Sequence, residues 1–296
     1  MFRKTLTLAA LFITVLMLSA CGAAFNLNPF TAEETVTKSF TPDGTTRIVV
    51  EMFNGSVDVV TGSDNTVKVD VVKRGGGFSQ QDAEDDLKNV AVTLTQDGGT
   101  IRVVAKRTDQ RVDIGNSGAS AKLRVPAGAI LDLHSSNGSI TSAGSVGDVK
   151  AQTSNGPIDV RGSRGPIDAN TSNGPITIDG GSGAINAETS NGPIEITAEN
   201  ALVIARTSNG SIHFTGSLAS GHNQLDTSNG SLVVTLPANA QFAVNAETSN
   251  AKITSDFAVS AQDFSDNQLR GTVGSDPGTT LDLRTSNSPI EISQSR

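Results

Sequence analysis

Short apolar–polar–apolar triplets recur along the second half of the chain: Ile158-Asp159-Val160, Ile176-Thr177-Ile178, Ile194-Glu195-Ile196 and Ile212-His213-Phe214. Alternation with a period of two predicts strands with one buried face. Each triplet follows a turn signal, Asn-Gly-Ser-Ile or Asn-Gly-Pro-Ile, at Asn137, Asn155, Asn173, Asn191 and Asn209, spaced by 18 residues. Looser copies begin at Asn229, Asn250 and Asn287. A lone copy, Asn54-Gly55-Ser56-Val57, stands far upstream. A half-period is also visible: Val146-Gly147-Asp148-Val149, Arg164-Gly165-Pro166-Ile167 and Ser182-Gly183-Ala184-Ile185 each lie nine residues after an Asn of the main series.

A fixed period of this kind is the signature of a repeat architecture. Two strands and two turns per 18 residues predict an all-β fold, a parallel β-solenoid or β-helix, flattened and two-sided. The second strand contributes Val149, Ile167, Ile185 and Val203. Two positions on stand Ala151, Ala169, Ala187 and Ala205, a small column that would let two sheets approach across a thin core. Asn and Gly tolerate left-handed backbone, which predicts that geometry at the corners. Stacked Asn side chains can form an amide ladder, so Asn137, Asn155, Asn173, Asn191, Asn209, Asn229, Asn250 and Asn287 are expected to form a structural turn ladder. Pro157, Pro175 and Pro193 lack an N–H and should mark the corner where a strand begins. The Thr before each Ser-Asn, from Thr153 to Thr285, closes the preceding strand.

Upstream, Thr46–Glu51, Val57–Val60 and Val67–Val72 read as strands, and Gly75-Gly76-Gly77 as a breaker. Ser79 begins like a helix N-cap leading to Leu87. Val90–Thr95 and Thr100–Ala105 form a hairpin around Gln96-Asp97-Gly98-Gly99, and Lys122–Val125 is a further strand. This β-rich part with one short helix is expected to cap one end of the repeat region, whose open end would otherwise expose unpaired strand edges. Residues 256–280 interrupt the repeat, as a loop or as a cap at the other end.

The N-terminus follows a different pattern from the strands. Met1-Phe2-Arg3-Lys4 is basic, Thr5–Leu18 is mostly apolar, and Leu18-Ser19-Ala20-Cys21 follows, an export-signal pattern too short to span a bilayer comfortably. The ending resembles the bacterial lipobox, which implies cleavage before Cys21 and its lipidation. A plain secretory signal is the alternative. Cys21 is the only cysteine in the chain, so it cannot be half of an intramolecular disulfide. The expected organisation is a lipoprotein signal peptide (1–20), a tether (21–37), an N-terminal cap with the first strands (38–129) and the repeat region (130–296).

Composition narrows the function. Loss of the signal removes Arg3 and Lys4, taking the net charge from −8 to −10. An acidic chain lacks the basic footprint that nucleic acid requires. With neither Trp nor Tyr, it also lacks the usual aromatic platforms for sugars and bases. The recurring Thr-Ser-Asn-Gly-Pro-Ile, the lipobox and Phe53-Asn54-Gly55-Ser56-Val57 resemble the bacterial putative-adhesin family, a domain-of-unknown-function group of extracytoplasmic β-solenoids. That resemblance covers roughly Lys38 to Ser293 and implies an architecture without an assigned chemistry.

Candidate chemistry is sparse. Asp159, Glu195 and His213 share an outward column, but Asp159 and Glu195 lie two repeats apart, about 9.6 Å, too far to share a metal directly. The nine-residue period invites comparison with calcium-binding β-rolls, but one glycine per nonapeptide does not supply six or more oxygens. Asp159, Asp168 and Glu195 with Arg161 and Arg164 are the residues a polysaccharide lyase or hydrolase would have to use. No Ser-His-Asp arrangement stands out. The expectation is therefore a non-catalytic, lipid-anchored extracytoplasmic protein of the bacterial envelope, with no catalytic residue, metal or cofactor. It would be an adhesin or an interaction scaffold, with the membrane and a protein or glycan as partners. The alternatives are a polysaccharide-acting enzyme and a regulatory partner of membrane signalling proteins.

Overall fold

The computed structural model describes residues 30–109, 117–275 and 277–295. Cys21 and the signal segment lie outside them. The N-terminal part contains β1 (Phe30–Phe40), β2 (Arg47–Met52), β3 (Val57–Thr61), β4 (Val67–Gly77), α1 (Gln80–Leu87), β5 (Val90–Asp97), β6 (Thr100–Arg107) and β7 (Gly118–Val125). The repeats form β8 (Ile130–Ser135), β9 (Ile140–Ala143), β10 (Val149–Thr153), β11 (Ile158–Arg161), β12 (Ile167–Thr171), β13 (Ile176–Asp179), β14 (Gly183–Thr189) and β15 (Ile194–Arg206). They continue through β16 (Ile212–Leu218), β17 (Gly221–Asp226), β18 (Leu232–Pro237), β19 (Phe242–Thr248) and β20 (Ile253–Ser255). A hairpin, β21 (Ser260–Ser265) with β22 (Gln268–Val273), occupies the interrupted segment, and β23 (Thr279–Thr285) and β24 (Ile290–Ser295) end the chain.

Successive repeats pair in parallel, with Ile158 against Ile176, Ile176 against Ile194 and Ala169 against Ala187. The expected fold class, an open two-sided parallel solenoid or β-helix, is nevertheless corrected. All 24 strands among the described residues belong to one sheet. That sheet curls through 318° about an axis, a nearly closed, barrel-shaped wall. The physical reason lies at the corners, where backbone bonding between neighbouring windings does not stop. Ser172 N–H donates to Ser154 C=O at 3.1 Å, and Gly162 N–H to Asp179 C=O at 2.8 Å. Corners that stay bonded curve a sheet instead of dividing it in two. Nor is the sheet purely parallel: β1–β4, β4–β7, β5–β6, β19–β22 and β21–β22 are antiparallel.

Inside the wall is one continuous apolar core. The Ile and Val columns and the Ala column (Ala151, Ala169, Ala187 and Ala205) are all buried within it. One hydroxyl intrudes: Ser142 is fully buried where neighbouring strands place Val59 and Val160, and its Oγ has no hydrogen-bond partner.

The corners work differently from the sequence expectation. None of Gly138, Gly156, Gly174, Gly192, Gly210 and Gly230 has a positive φ; in this motif only Asn54 does, at 48°. These glycines are required by stacking. A Cβ on Gly174 would lie 1.9 Å from the carbonyl oxygen of Gly156, and one on Gly192 the same distance from that of Gly174. The preceding threonines are buried and bond the same carbonyls: Thr171 Oγ1 donates to Gly156 O and Thr189 Oγ1 to Gly174 O, both at 3.1 Å.

At both ends the chain leaves sequence order. The winding β2–β3 lies between β6–β7 and β8–β9. The C-terminal winding β23–β24 lies between β17–β18 and β19–β20. The stray Asn54 is thereby a rung of the Asn stack, accepting from the Asn137 amide.

Two further expectations change. Residues 30–37, assigned to the tether, are part of β1, which runs antiparallel along β4. The Gly75-Gly76-Gly77 run is not a breaker but the end of β4. Its missing side chains let α1 lie close, since a Cβ on Gly75 would come within 2.4 Å of Ala83 and Leu87 backbone. The helix itself starts where Ser79 Oγ accepts from Asp82 N–H at 3.1 Å. It is fastened to β6 through Asp86, which bonds Arg107 at 2.8 Å, Gly76 N–H at 2.9 Å and the Ser117 hydroxyl. Burial opposes ionisation of Asp86, but the Ser117, Gly76 and Arg107 donors outweigh it and hold the carboxyl below its ordinary value.

Candidate ligand clefts on the outer face

Outward positions are where the repeats vary. On the wall built by β17, β23, β19 and β22, strand register sets side chains on a grid. One row reads Gln224, Asp282, Asn245, Arg270, and the row beside it His222, Thr280, Ala243, Thr272. This grid exists because β23 is inserted between β17 and β19. Side chains separated by up to sixty residues in sequence thus become cross-strand neighbours.

Asp282 is its centre. Asn245 Nδ2 donates to Asp282 Oδ1 at 3.0 Å, and His222 Nδ1 lies 3.3 Å from both Asp282 Oδ2 and Thr280 Oγ1. Arg270 is exposed and has no ion-pair partner among the described residues. With Gln262, these groups line an open cleft of about 390 Å³. It offers a cation, amide and hydroxyl donors and a half-buried carboxylate, a set suited to a polar ligand bearing hydroxyl or carboxylate groups.

A second cleft, about 480 Å³, lies beside the other inserted winding and is lined by Glu51, Lys106 and His134 with Met52, Phe53 and Ala105. Here too a histidine meets an aspartate: His134 Nε2 lies 2.8 Å from Asp132 Oδ1, and Arg47 approaches the same carboxylate at 3.5 Å. Lys106 pairs with Glu51 at 3.5 Å. Both clefts lie along the run of neighbouring strands β2, β8, β10, β12, β14, β15, β17, β23 and β19.

The residues singled out from sequence are placed as follows. The Asn side chains stack as one exposed line. Asn173 donates to Asn155 and Asn191 to Asn173 at 2.7 Å, and Asn209 donates to Asn191 at 2.8 Å. Asn155 donates to Asn137 and Asn229 to Asn209. The order then departs from sequence: Asn287 donates to Asn229, and Asn250 to Asn287, both at 2.8 Å. Asp159 is held by Arg161 in a two-bond pair of 2.9 and 2.7 Å, which raises the arginine's pKa. Asp168, on β12, accepts from Asn186 at 3.0 Å and does not share a strand row with Asp159 or Glu195. Glu195 and His213 are cross-strand neighbours. Among the described residues no three His, Cys, Asp or Glu side chains are grouped to hold a metal ion.

Sequence reasoning missed Asn223. It is fully buried, its Oδ1 accepts from Val203 N–H at 2.8 Å, and its Nδ2 donates to Ala219 and Thr280 carbonyls at 3.3 Å. It satisfies Val203 N–H in the gap between the last β15–β16 pair, Ala201 with Leu218, and the first β15–β17 pair, Ile204 with Gln224. The only signal was the lengthened interval between Asn209 and Asn229. The cleft residues His222, Asn245, Arg270 and Asp282 carry no motif in the sequence.

Comparison with known proteins gives a family and little more. No curated protein is similar enough to count as a relative. Solved structures that align include a "putative cell adhesion protein" from Clostridium sporogenes, at 9% identity and a TM-score of 0.25, covering 89% of this chain and 100% of that one. A "putative adhesin" from Bacteroides fragilis aligns at 8% identity and a TM-score of 0.39, covering 88% and 97%. Another from Parabacteroides distasonis aligns at 12% and 0.30, covering 88% and 97%. Superpositions this loose add nothing to the reading of the site. The family described as Toastrack DUF4097 matches residues 45–293, which is most of the chain, and the chain belongs to it.

Proposed function

We propose that this chain is a non-catalytic, lipid-anchored protein of the bacterial envelope. It is held outside the cytoplasm by a lipid on Cys21 and presents its outer face to an extended polar ligand, a glycan chain or a protein segment. The anchor rests on the lipobox-like Leu18-Ser19-Ala20-Cys21. An acyl anchor of more than one chain holds stably, at about 0.8 kcal/mol per buried CH₂.

One observation carries the binding reading. Four outward carboxylates each meet a donor of their own: Asp159 is held by Arg161, Asp168 by Asn186, Asp226 by Gln224 through Oδ2 while its buried Oδ1 has no partner among the described residues, and Asp282 by Asn245 and His222. Acid catalysis needs carboxyl groups facing one reacting centre. Carboxylates dispersed along a rigid wall and flanked by donors instead make a surface that recognises a ligand over a distance. Repeat proteins use such extended faces without a deep pocket.

The test is a glycan array and a whole-cell pull-down with the chain, alongside the variants Arg270→Ala and Asp282→Asn. Binding that falls by about tenfold or more in either variant supports the reading, as expected for loss of a charge-assisted hydrogen bond. Undiminished binding in both moves the ligand off this cleft. Turnover of a bound polysaccharide would overturn the non-catalytic assignment. Separately, Cys21→Ser should release the protein from membranes, and retention there would sink the anchor.

A further inference from the structure

Among the described residues three large hydrophobic side chains are strongly exposed: Phe30 (44%), Val60 (43%) and Phe78 (65%). Isolated exposed apolar residues are ordinary on a soluble surface. Two of these three are together. Phe30 is the register partner of Gly77, and Phe78 follows directly, so both phenyls stand at one end of the β1–β4 ribbon. Nothing in the core requires them there, since neither belongs to the buried cluster.

The position in the chain gives the pair a meaning. Phe30 lies nine residues after Cys21, and nine residues span at most about 32 Å. The ribbon end is thus the part of the described fold nearest along the chain to the anchor. The basic groups nearby are locally paired: Lys73 with Glu34 at 2.6 Å, Arg74 with Glu33 at 3.4 Å and Lys88 with Asp85 at 2.7 Å, while the exposed Asp82 and Glu84 of α1 have no ion pair among the described residues. An end with two exposed phenyls and no free basic group would meet the boundary between headgroups and acyl chains through apolar contact.

We propose that Phe30 and Phe78 form a membrane-resting tip. They would dip into the lipid surface that holds Cys21 and so fix the tilt of the wall and the direction in which its outer face points. This rests on the lipid anchor proposed above. Contact through phenyls in place of charge predicts docking on zwitterionic lipid that survives high salt.

The chain has no tryptophan, so a single introduced one reports its own surroundings. The chain from residue 21 onward would be coupled through Cys21, its only thiol, to a maleimide-bearing lipid in phosphatidylcholine vesicles. This imposes the tether whether or not cells lipidate the residue. F78W would be compared with V60W. Val60 is level with Arg124 and so with Lys68, nine residues along β4 from Gly77 and about 30 Å from the tip. The expected result is a blue-shifted F78W emission, quenched by brominated lipid and several-fold less accessible to aqueous iodide than V60W. Adding Phe30→Ala should reduce the shift. F78W emission and iodide quenching equal to those of V60W would overturn the tip. Fractionation of cells carrying Cys21→Ser reads the anchor alone, so the two readings fail separately.

Discussion

The middle and the ends of this wall are built from the same strands and corners, yet they are assembled differently. From β8 to β16 each winding lies beside the one that precedes it in the chain, and neighbouring residues in space are 18 apart in sequence. At each end a winding remote in sequence is inserted instead, β2–β3 at one and β23–β24 at the other. The middle closes through local contacts. The ends close through distant ones, at a higher loop-closure cost. Both clefts lie at the inserted windings. Insertion is what brings His222, Asn245, Arg270 and Asp282 together, so this comparison also separates scaffold from candidate function.

Removing an inserted winding should separate the ends from the middle most sharply. A chain ending at Gly278 loses β23 and β24 and with them the buried Leu281, Leu283, Ile290 and Ile292. At about 1.5–3 kcal/mol per buried side chain the loss is about 6–12 kcal/mol, comparable with the whole stability of a typical domain. Restacking β19–β20 directly onto β17–β18 would restore strand pairing but not that burial. Hydrogen exchange should show β17 to β22 unprotected while β8 to β14 stay protected. Uniform loss of protection would mean that the middle depends on the ends for its fold.

A methyl group tests the two regions equally. Gly192→Ala in the middle and Gly55→Ala in the inserted winding each place a Cβ within 2.0 Å of a stacked backbone carbonyl. Each should cost about 3–5 kcal/mol, the range of the most disruptive point changes, read from denaturant midpoints. A much smaller cost for Gly55→Ala would show that the inserted winding is more loosely seated than the middle ones.

Acid should loosen the N-terminal end first. Asp86 ties α1 to β6, and its carboxyl is held below its ordinary value. The sign follows from that direction. Stability from Asp86 is fully present above the unfolded-state value, about 3.9, and is lost as pH falls through the lower folded-state value. Asp86→Asn should cost about 1.5–3 kcal/mol at neutral pH, and the variant should lose less than the parent when melting temperature is followed from pH 7 down to pH 3. Parallel pH profiles for parent and variant would remove Asp86 from the account.

What could be read from the sequence divides along the same line. The middle was legible because its period is constant: Ile158, Ile176 and Ile194 announce their own register. Closure of the wall was not legible, because period says how strands follow one another and not whether corners remain bonded. Left-handed corners were inferred from Asn-Gly, but the glycines serve close stacking, which composition cannot distinguish from a demand for positive φ. The ends were least legible. Asn54 looked stray because its ladder neighbour, Asn137, is 83 residues away. Asn287 looked like a distant last copy, although it sits between Asn229 and Asn250. The cleft at Asp282 could not be inferred before the insertion was known, since its side chains come from five strands with no shared spacing.

The smallest effect separates an inner rung from an end rung. Asn191 donates to Asn173 and accepts from Asn209, so Asn191→Ala removes two ladder bonds, together with a long contact of 3.4 Å from its amide to the Ser172 carbonyl. Asn250, at the end of the stack, donates only to Asn287. Both side chains are exposed, so water replaces part of what is lost and each bond contributes near the lower end of the usual range, about 0.5 kcal/mol. The expected losses are about 1 kcal/mol for Asn191→Ala and about 0.5 kcal/mol for Asn250→Ala, measured by urea unfolding with replicate midpoints. Cooperative polarisation along the stack would push the inner loss above twice the outer one. Equal losses would mean that the amides act one by one as corner formers, and that the windings are held by the buried threonine and glycine pairs beneath them.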